Sequence, residues 1–236
     1  MIVFAITVGS VALFVYLFMF SEFSDWPYRI PRMIKTNKKV VAITFDDGPN
    51  PPYTDSILDF LSANNVRATF FVVGKCSEKH PGLLNRMLKD GHQIANHSQS
   101  HKFSNYLRSL DFSLEIEKSQ NTIKKITGNK PRYIRLPWLF RTPLIVKYIR
   151  SRKLNLVGGR FCHPLEILQI NPAKIADRAF KIIKPGSIII FHDGFDSRGG
   201  DRSKTVEAVK ILIPKLRESG YQFVTVAELA GSRAYK

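Results

Sequence analysis

Cysteine is scarce in this chain, with two in 236 residues. That excludes a disulfide-stapled scaffold and a cysteine-based zinc finger, and Cys76 and Cys162 read as buried thiols. Acidic residues are also few: 19 Asp and Glu stand against 36 Lys and Arg, a formal charge of +17. Such an excess suits an anionic neighbour, such as an acidic lipid surface or an acidic polymer. No nucleic-acid motif accompanies it, so the basic residues read as solvated helix faces and not as a nucleic-acid site. No repeat or low-complexity stretch is visible. With 44% hydrophobic and 23% charged residues the chain is not disordered and has the material for a sizeable core.

Charge is missing altogether from residues 1–20, where only Thr7, Gly9 and Ser10 interrupt an apolar run. As a helix it spans about 30 Å, the thickness of a bilayer's hydrocarbon core. No basic residue precedes it, and Phe18-Met19-Phe20 is too bulky for a signal-peptide cleavage site. The expectation is an uncleaved single-pass anchor over residues 1–20, a juxtamembrane linker over 21–37, and a folded domain over 38–231. The basic residues from Arg29 to Lys39 place that domain in the cytoplasm by the positive-inside rule. The chemistry below suits the extracytoplasmic side, and that side is the expectation.

Past the linker, strands and helices alternate. Short β-branched or apolar runs at 40–45, 68–73, 93–96, 133–135, 154–157, 187–191 and 222–226 read as strands. Amphipathic stretches at 56–64, 83–89, 110–127 and 205–216 read as helices. Such alternation over about 190 residues predicts parallel βα units, an α/β fold, with functional groups at the C-terminal ends of the strands. Titratable residues collect at those ends. Asp46 and Asp47 follow the first strand, His97 the third, Arg135 ends the fourth, and His192 closes the one before last.

His97 and His101, spaced i, i+4, can aim both imidazoles at one point, as zinc-binding histidines do. Asp46 or Asp47 can add an oxygen ligand. Asp-Gly-Pro is also ordinary turn chemistry, but two adjacent carboxylates repel and one calls for a cation. One as ligand and the other as general base uses both. His192 at the same rim suits an acid/base role.

These motifs together resemble the NodB-type polysaccharide deacetylases, the fourth carbohydrate esterase family, over about Lys38 to Leu229. Thr44-Phe-Asp-Asp-Gly-Pro49 matches the first motif and His97-Ser-Gln-Ser-His101 the second. Arg135-Leu-Pro-Trp138 matches the third, and Ile190-Phe-His192 the fifth. The resemblance implies a distorted, incomplete (β/α) barrel of about seven parallel strands. It implies a divalent metal, zinc or cobalt, on Asp47, His97 and His101. Asp46 would be the general base, Arg135 its orienting partner, the Trp138 N–H an oxyanion donor and His192 the general acid. The substrate implied is an acetylated glycan of chitooligosaccharide or peptidoglycan type. An O-acetyl esterase of xylan type and a glycan-binding pseudoenzyme are the alternatives.

Two departures stand out. The fourth motif's Asp-Trp pair is absent from Gly158–Glu166, and many relatives carry Gly where Leu139-Phe140 follow Trp138. Without that Asp, His192 is expected to hold its proton less firmly and the pH optimum to move to the acid side, unless Glu166 approaches it. Asp193 is adjacent, but neighbouring strand residues point opposite ways.

Overall fold

The computed structural model describes residues 9–10 and 28–236. The expected anchor lies outside them except for Gly9 and Ser10, as does the linker before Tyr28. Among the described residues no helix is long and apolar enough to cross a membrane.

The sheet grows from β1 (Val40–Asp46), which is buried from Val41 onward. Continuous burial is what a central parallel strand requires, because helices or other strands cover both faces. The other strands are β2 (Thr69–Val72), β3 (Gln93–Asn96), β4 (Tyr133–Ile134), β5 (Asn155–Leu156), β6 (Arg160–Phe161), β7 (Ser187–His192) and β8 (Gln222–Phe223). Seven form a curled parallel sheet in the order β5-β4-β3-β2-β1-β7-β6, and β8 pairs with the start of β1. The helices between them include α1 (Tyr53–Ala63), α2 (Gly74–Lys79), α3 (Pro81–Lys89), α4 (Ser109–Thr127), α5 (Pro143–Ser151), α6 (Pro172–Ile182), α7 (Ser203–Glu218) and α8 (Val226–Leu229). This is the incomplete (β/α) barrel that the motifs implied. Gly128, at φ 73°, ends α4 where a left-handed residue was expected. Val226 was expected to close a strand. It opens α8 instead, because Thr225 and Glu228 form a reciprocal capping box. Cys76 and Cys162 are free and buried.

Side-chain alternation decides what each strand presents. Val41, Ile43 and Phe45 face the helices, joined by Phe70, Ile189 and Phe191. Phe45 stacks on Phe70 with centroids 5.0 Å apart and lies 6.0 Å from Phe191. The opposite face carries Ala42, Phe71, Ala95, Tyr133 and Ile188, which fill the barrel. Counting in twos along this inner set reaches Asp46 from Ala42, His97 from Ala95, Arg135 from Tyr133 and His192 from Ile188. Four strands therefore deliver their titratable residues to one interior, at one end.

Between β5 and β6 the sheet path ends on both sides. Residues 155–161 cross this seam as one extended run, pairing first with β4 and then with β7. Residues 30–34 lie against it. The Gly158 N–H donates to Pro31 O, the Ile188 N–H to Arg32 O and the Ile34 N–H to Gly186 O. Ile30 and Arg32 are buried there. The described part of the linker is thus packed into the barrel wall.

Candidate active site and metal centre

β1 ends with Asp46, level with His192 on β7 and Phe71 on β2. The Arg135 guanidinium enters from β4. Its Nη1 donates to Asp46 Oδ1 and to Thr44 Oγ1, each at 2.7 Å, and its Nη2 to Gly158 O, also at 2.7 Å. Arg135 is fully buried, with its charged carbon 4.0 Å from the Phe71 ring centroid. Burial pushes its pKa down and the Asp46 carboxylate pulls it back. Breaking a buried pair like this typically costs about 3–5 kcal/mol, because the surviving charge is stranded.

Asp47 follows at φ 76°, a left-handed turn that separates its carboxylate from that of Asp46. Its Oδ1 lies 3.2 Å from His97 Nε2 and 3.0 Å from His101 Nε2. The three residues are buried, and one ligand atom from each lies within 4.8 Å of the other two. The remaining edge of each imidazole meets a protein oxygen. His97 Nδ1 is 2.9 Å from Arg135 O, and His101 Nδ1 is 2.9 Å from Asp196 Oδ1. An outer partner like that of His97 fixes the tautomer and aims Nε2 at a cation, while Asp196 sits beside His101 at ion-pair distance. Asp47 Oδ1 is buried without a hydrogen bond. One carboxylate and two imidazoles with their Nε2 atoms converging on that oxygen fit a divalent cation with room for water.

Burial would raise the Asp47 pKa, but His101 and His97 more than offset it and hold the carboxyl well below its usual range. Burial would lower His101, and Asp47 and Asp196 instead lift it to about 10. Proton and cation compete for the same Nε2, so cation binding releases a proton.

His192 is the other pole. Its Nδ1 sits 2.7 Å from Glu166 Oε2, and Glu166 also accepts from the Thr205 hydroxyl. Burial alone would depress His192, but the Glu166 carboxylate raises it to about 9. The expectation of a weakly held proton was set for a His192 without an acidic partner; Glu166 meets the condition that lifts it, standing beside His192 where the fourth-motif carboxylate is missing. Asp193 turns away, with Oδ2 2.5 Å from Thr54 Oγ1, as strand alternation requires.

The Trp138 ring closes the cleft above the histidines, 4.4 Å from the His101 ring centroid in an edge contact. Trp138 and Leu139 adopt φ 54° and 53° without glycine's freedom. Of the eleven non-glycine residues with positive φ among the described residues, five line this cleft: Asp47, His101, Trp138, Leu139 and Asp196. Strained backbone collects at functional sites. The cleft encloses about 570 Å³, and Asp46, Asp47, His97, His101, Trp138 and His192 all line it, with Arg135 packed behind Asp46. All seven expected site residues are therefore in one place. Asp196 was not anticipated. It lies in a loop 95 residues past its partner, with no motif to mark it.

The polysaccharide deacetylase family model matches residues 33–157. A peptidoglycan-N-acetylglucosamine deacetylase of Bacillus cereus is 35% identical over 205 residues, spanning 83% of this chain and 90% of that protein. A chitooligosaccharide deacetylase of Bradyrhizobium is 30% identical over 198 residues, 80% of this chain and 90% of the other. The crystal structure of a peptidoglycan N-acetylglucosamine deacetylase superimposes with a TM-score of 0.81 at 27% identity, covering 90% of this chain and 98% of that one. With more than half of its length matched by the family model, and with relatives at 30–35% identity aligned over most of both chains, the protein belongs to the polysaccharide deacetylase family.

Proposed function

We propose that the protein hydrolyses N-acetyl groups from an N-acetylglucosamine-containing glycan of chitooligosaccharide or peptidoglycan type. The observation that carries this reading is a carboxylate held by Arg135 and an imidazole held by Glu166, level with each other on adjacent strands and lining one cleft with the Asp47-His97-His101 cluster. Those three residues would hold a divalent metal, zinc or cobalt, which would supply Lewis-acid polarisation and lower the pKa of a water from about 15.7 towards 7.

The chain's own groups do the rest. Asp46 is the general base, and its bond to Arg135 fixes which oxygen lone pair meets the attacking water. The Trp138 N–H donates to the developing oxyanion, a contact of a kind worth about 3 kcal/mol. His192 delivers its proton to the departing amine. An amine is a poor leaving group until protonated, so an acid with its pKa lifted to about 9 suits amide cleavage. The Glu166 pairing disfavours the pseudoenzyme alternative, which rested on the missing acidic partner.

Acetate release from chitooligosaccharide, peptidoglycan and acetylated xylan, with and without added zinc or cobalt, tests the reading. Metal-dependent release from either of the first two supports it; release from xylan alone, or from none, refutes it. We also propose that residues 1–20 tether the domain on the extracytoplasmic side. Protease digestion of the domain in intact cells is the expected result, and full protection contradicts it.

A further inference from the structure

The exposed leucines are gathered at one end of the barrel. Among the described residues they are Leu107, Leu110, Leu114, Leu144, Leu165 and Leu168, each 48–70% exposed. All six lie in loops that follow strands, or in the first two turns of the helices those loops enter, which is the end that carries the cleft. They form two groups on the cleft's rim. Phe103 joins the first group to the cleft, with its ring 5.4 Å from Trp138 and 5.3 Å from Phe140. Leu165 and Leu168 flank Glu166 and Ile167, which line the same cleft. Single exposed leucines are ordinary, but apolar side chains gathered at one end mark a surface that something covers.

Chemistry, charge and chain path agree on what covers it. Leucine offers no ring face for a sugar to stack on, so hydrocarbon suits these side chains better than the glycan does. The charge of +17 opposes a second copy and favours an anionic surface. Exposed Lys102, Arg108 and Lys147 accompany Phe103, Leu107 and Leu144, with Asp111 the acid among them. Glu115 and Glu117 are turned to Ser100 and Arg152. The strap fixes where residues 1–20 join the fold. It pairs antiparallel with the start of β7, and Ile30 lines a small cavity with Leu139 and Arg141. The Tyr28 carbonyl accepts from Arg150 on α5, the helix that carries Leu144. From there residues 21–27 span about 25 Å at most.

Resting on the membrane tether proposed above for residues 1–20, we propose that the leucine rim docks on a bilayer containing anionic lipid, so that the cleft opens on the head-group layer. The leucines enter the acyl boundary, and the neighbouring lysines and arginine meet lipid phosphate. The affinity of such a face grows with both contributions.

Cys76 and Cys162 are buried, so an introduced surface cysteine takes a thiol label selectively. The test places an environment-sensitive fluorophore on the full chain at Leu110→Cys, at Leu168→Cys and, as a control, at Lys210→Cys on the exposed side of α7. Each is mixed with vesicles of phosphatidylcholine and phosphatidylglycerol carrying brominated acyl chains. Flotation reports the tether, and bromine quenching reports the docking. The expected result is that all three float, that emission at 110 and 168 shifts to the blue and loses intensity, and that emission at 210 does neither. Floating chains quenched no more at 110 and 168 than at 210 overturn the docking and leave the tether standing. A blue shift without quenching means that a second copy of the chain covers the leucines, and it overturns the docking as well. Failure to float sinks the tether and the docking with it.

Discussion

At the scale of single residues, Glu166 carries the most consequence. It is 1% exposed, accepts from Thr205 and holds the His192 Nδ1 edge at 2.7 Å. In the proposed mechanism His192 is the acid, so activity is expected to fall as pH rises through its pKa. A cation at Asp47 repels the imidazolium and sets that limb below about 9; removing the Glu166 charge sets it lower still. Glu166→Gln is therefore expected to move the alkaline limb of the kcat/KM profile to lower pH by about one unit or more, one unit being 1.4 kcal/mol. An unmoved limb assigns the proton donation elsewhere. The pair also links stability to pH. The His192 share is complete below its ordinary pKa and is lost as pH rises through about 9, and the Glu166 share is lost on acidification through its lowered pKa. The residues proposed here as base, metal ligands and acid were legible in the sequence, because each sits in a short local motif. It did not show Glu166's role or Asp196's, because those partnerships join loops 26 and 95 positions from their histidines, and only the folded barrel brings them together.

At the scale of elements, parity along the strands explains why the motifs work. The inner positions of β1, β3, β4 and β7 run out at Asp46, His97, Arg135 and His192. Long buried strands such as β1 and β7 were legible from their apolar, β-branched runs. β6 was not, because two residues after Gly158-Gly159 carry no periodicity. Yet this seam holds Arg135, the partner of Asp46, through Gly158 O. A Cβ on Gly159 would lie 2.6 Å from Ile190 Cγ1 and 3.0 Å from Arg135 Nη2. Gly159→Ala is expected to destabilise the fold by about 1–3 kcal/mol, as overpacking does, and to lower kcat by displacing Arg135 from Asp46. Urea melts and kinetics on the same preparation check this; wild-type values in both would show that the seam relaxes freely. The strap over residues 30–34 was read as linker because Pro31 and mixed charges resemble one, and its burial depends on β7 and Gly158, more than 120 residues away.

At the scale of the whole molecule, the cluster of Asp47, His97 and His101 ties the ends of β1 and β3 together, so cation binding is coupled to folding. Zinc at 100 times its Kd should add about 2.7 kcal/mol, which for a domain of this size is a Tm rise of roughly 5–10 °C. The rise should vanish in the His97→Ala, His101→Ala double variant; a rise that survives places the cation elsewhere. The most direct test of the account is bound zinc measured beside acetate release in Asp46→Asn and Asp47→Asn. The division of labour between adjacent carboxylates predicts that Asp46→Asn keeps about one zinc per chain while turnover falls by about 10²–10⁴, and that Asp47→Asn loses both. Equal loss of zinc in the two variants, or turnover that survives in Asp46→Asn, would contradict it.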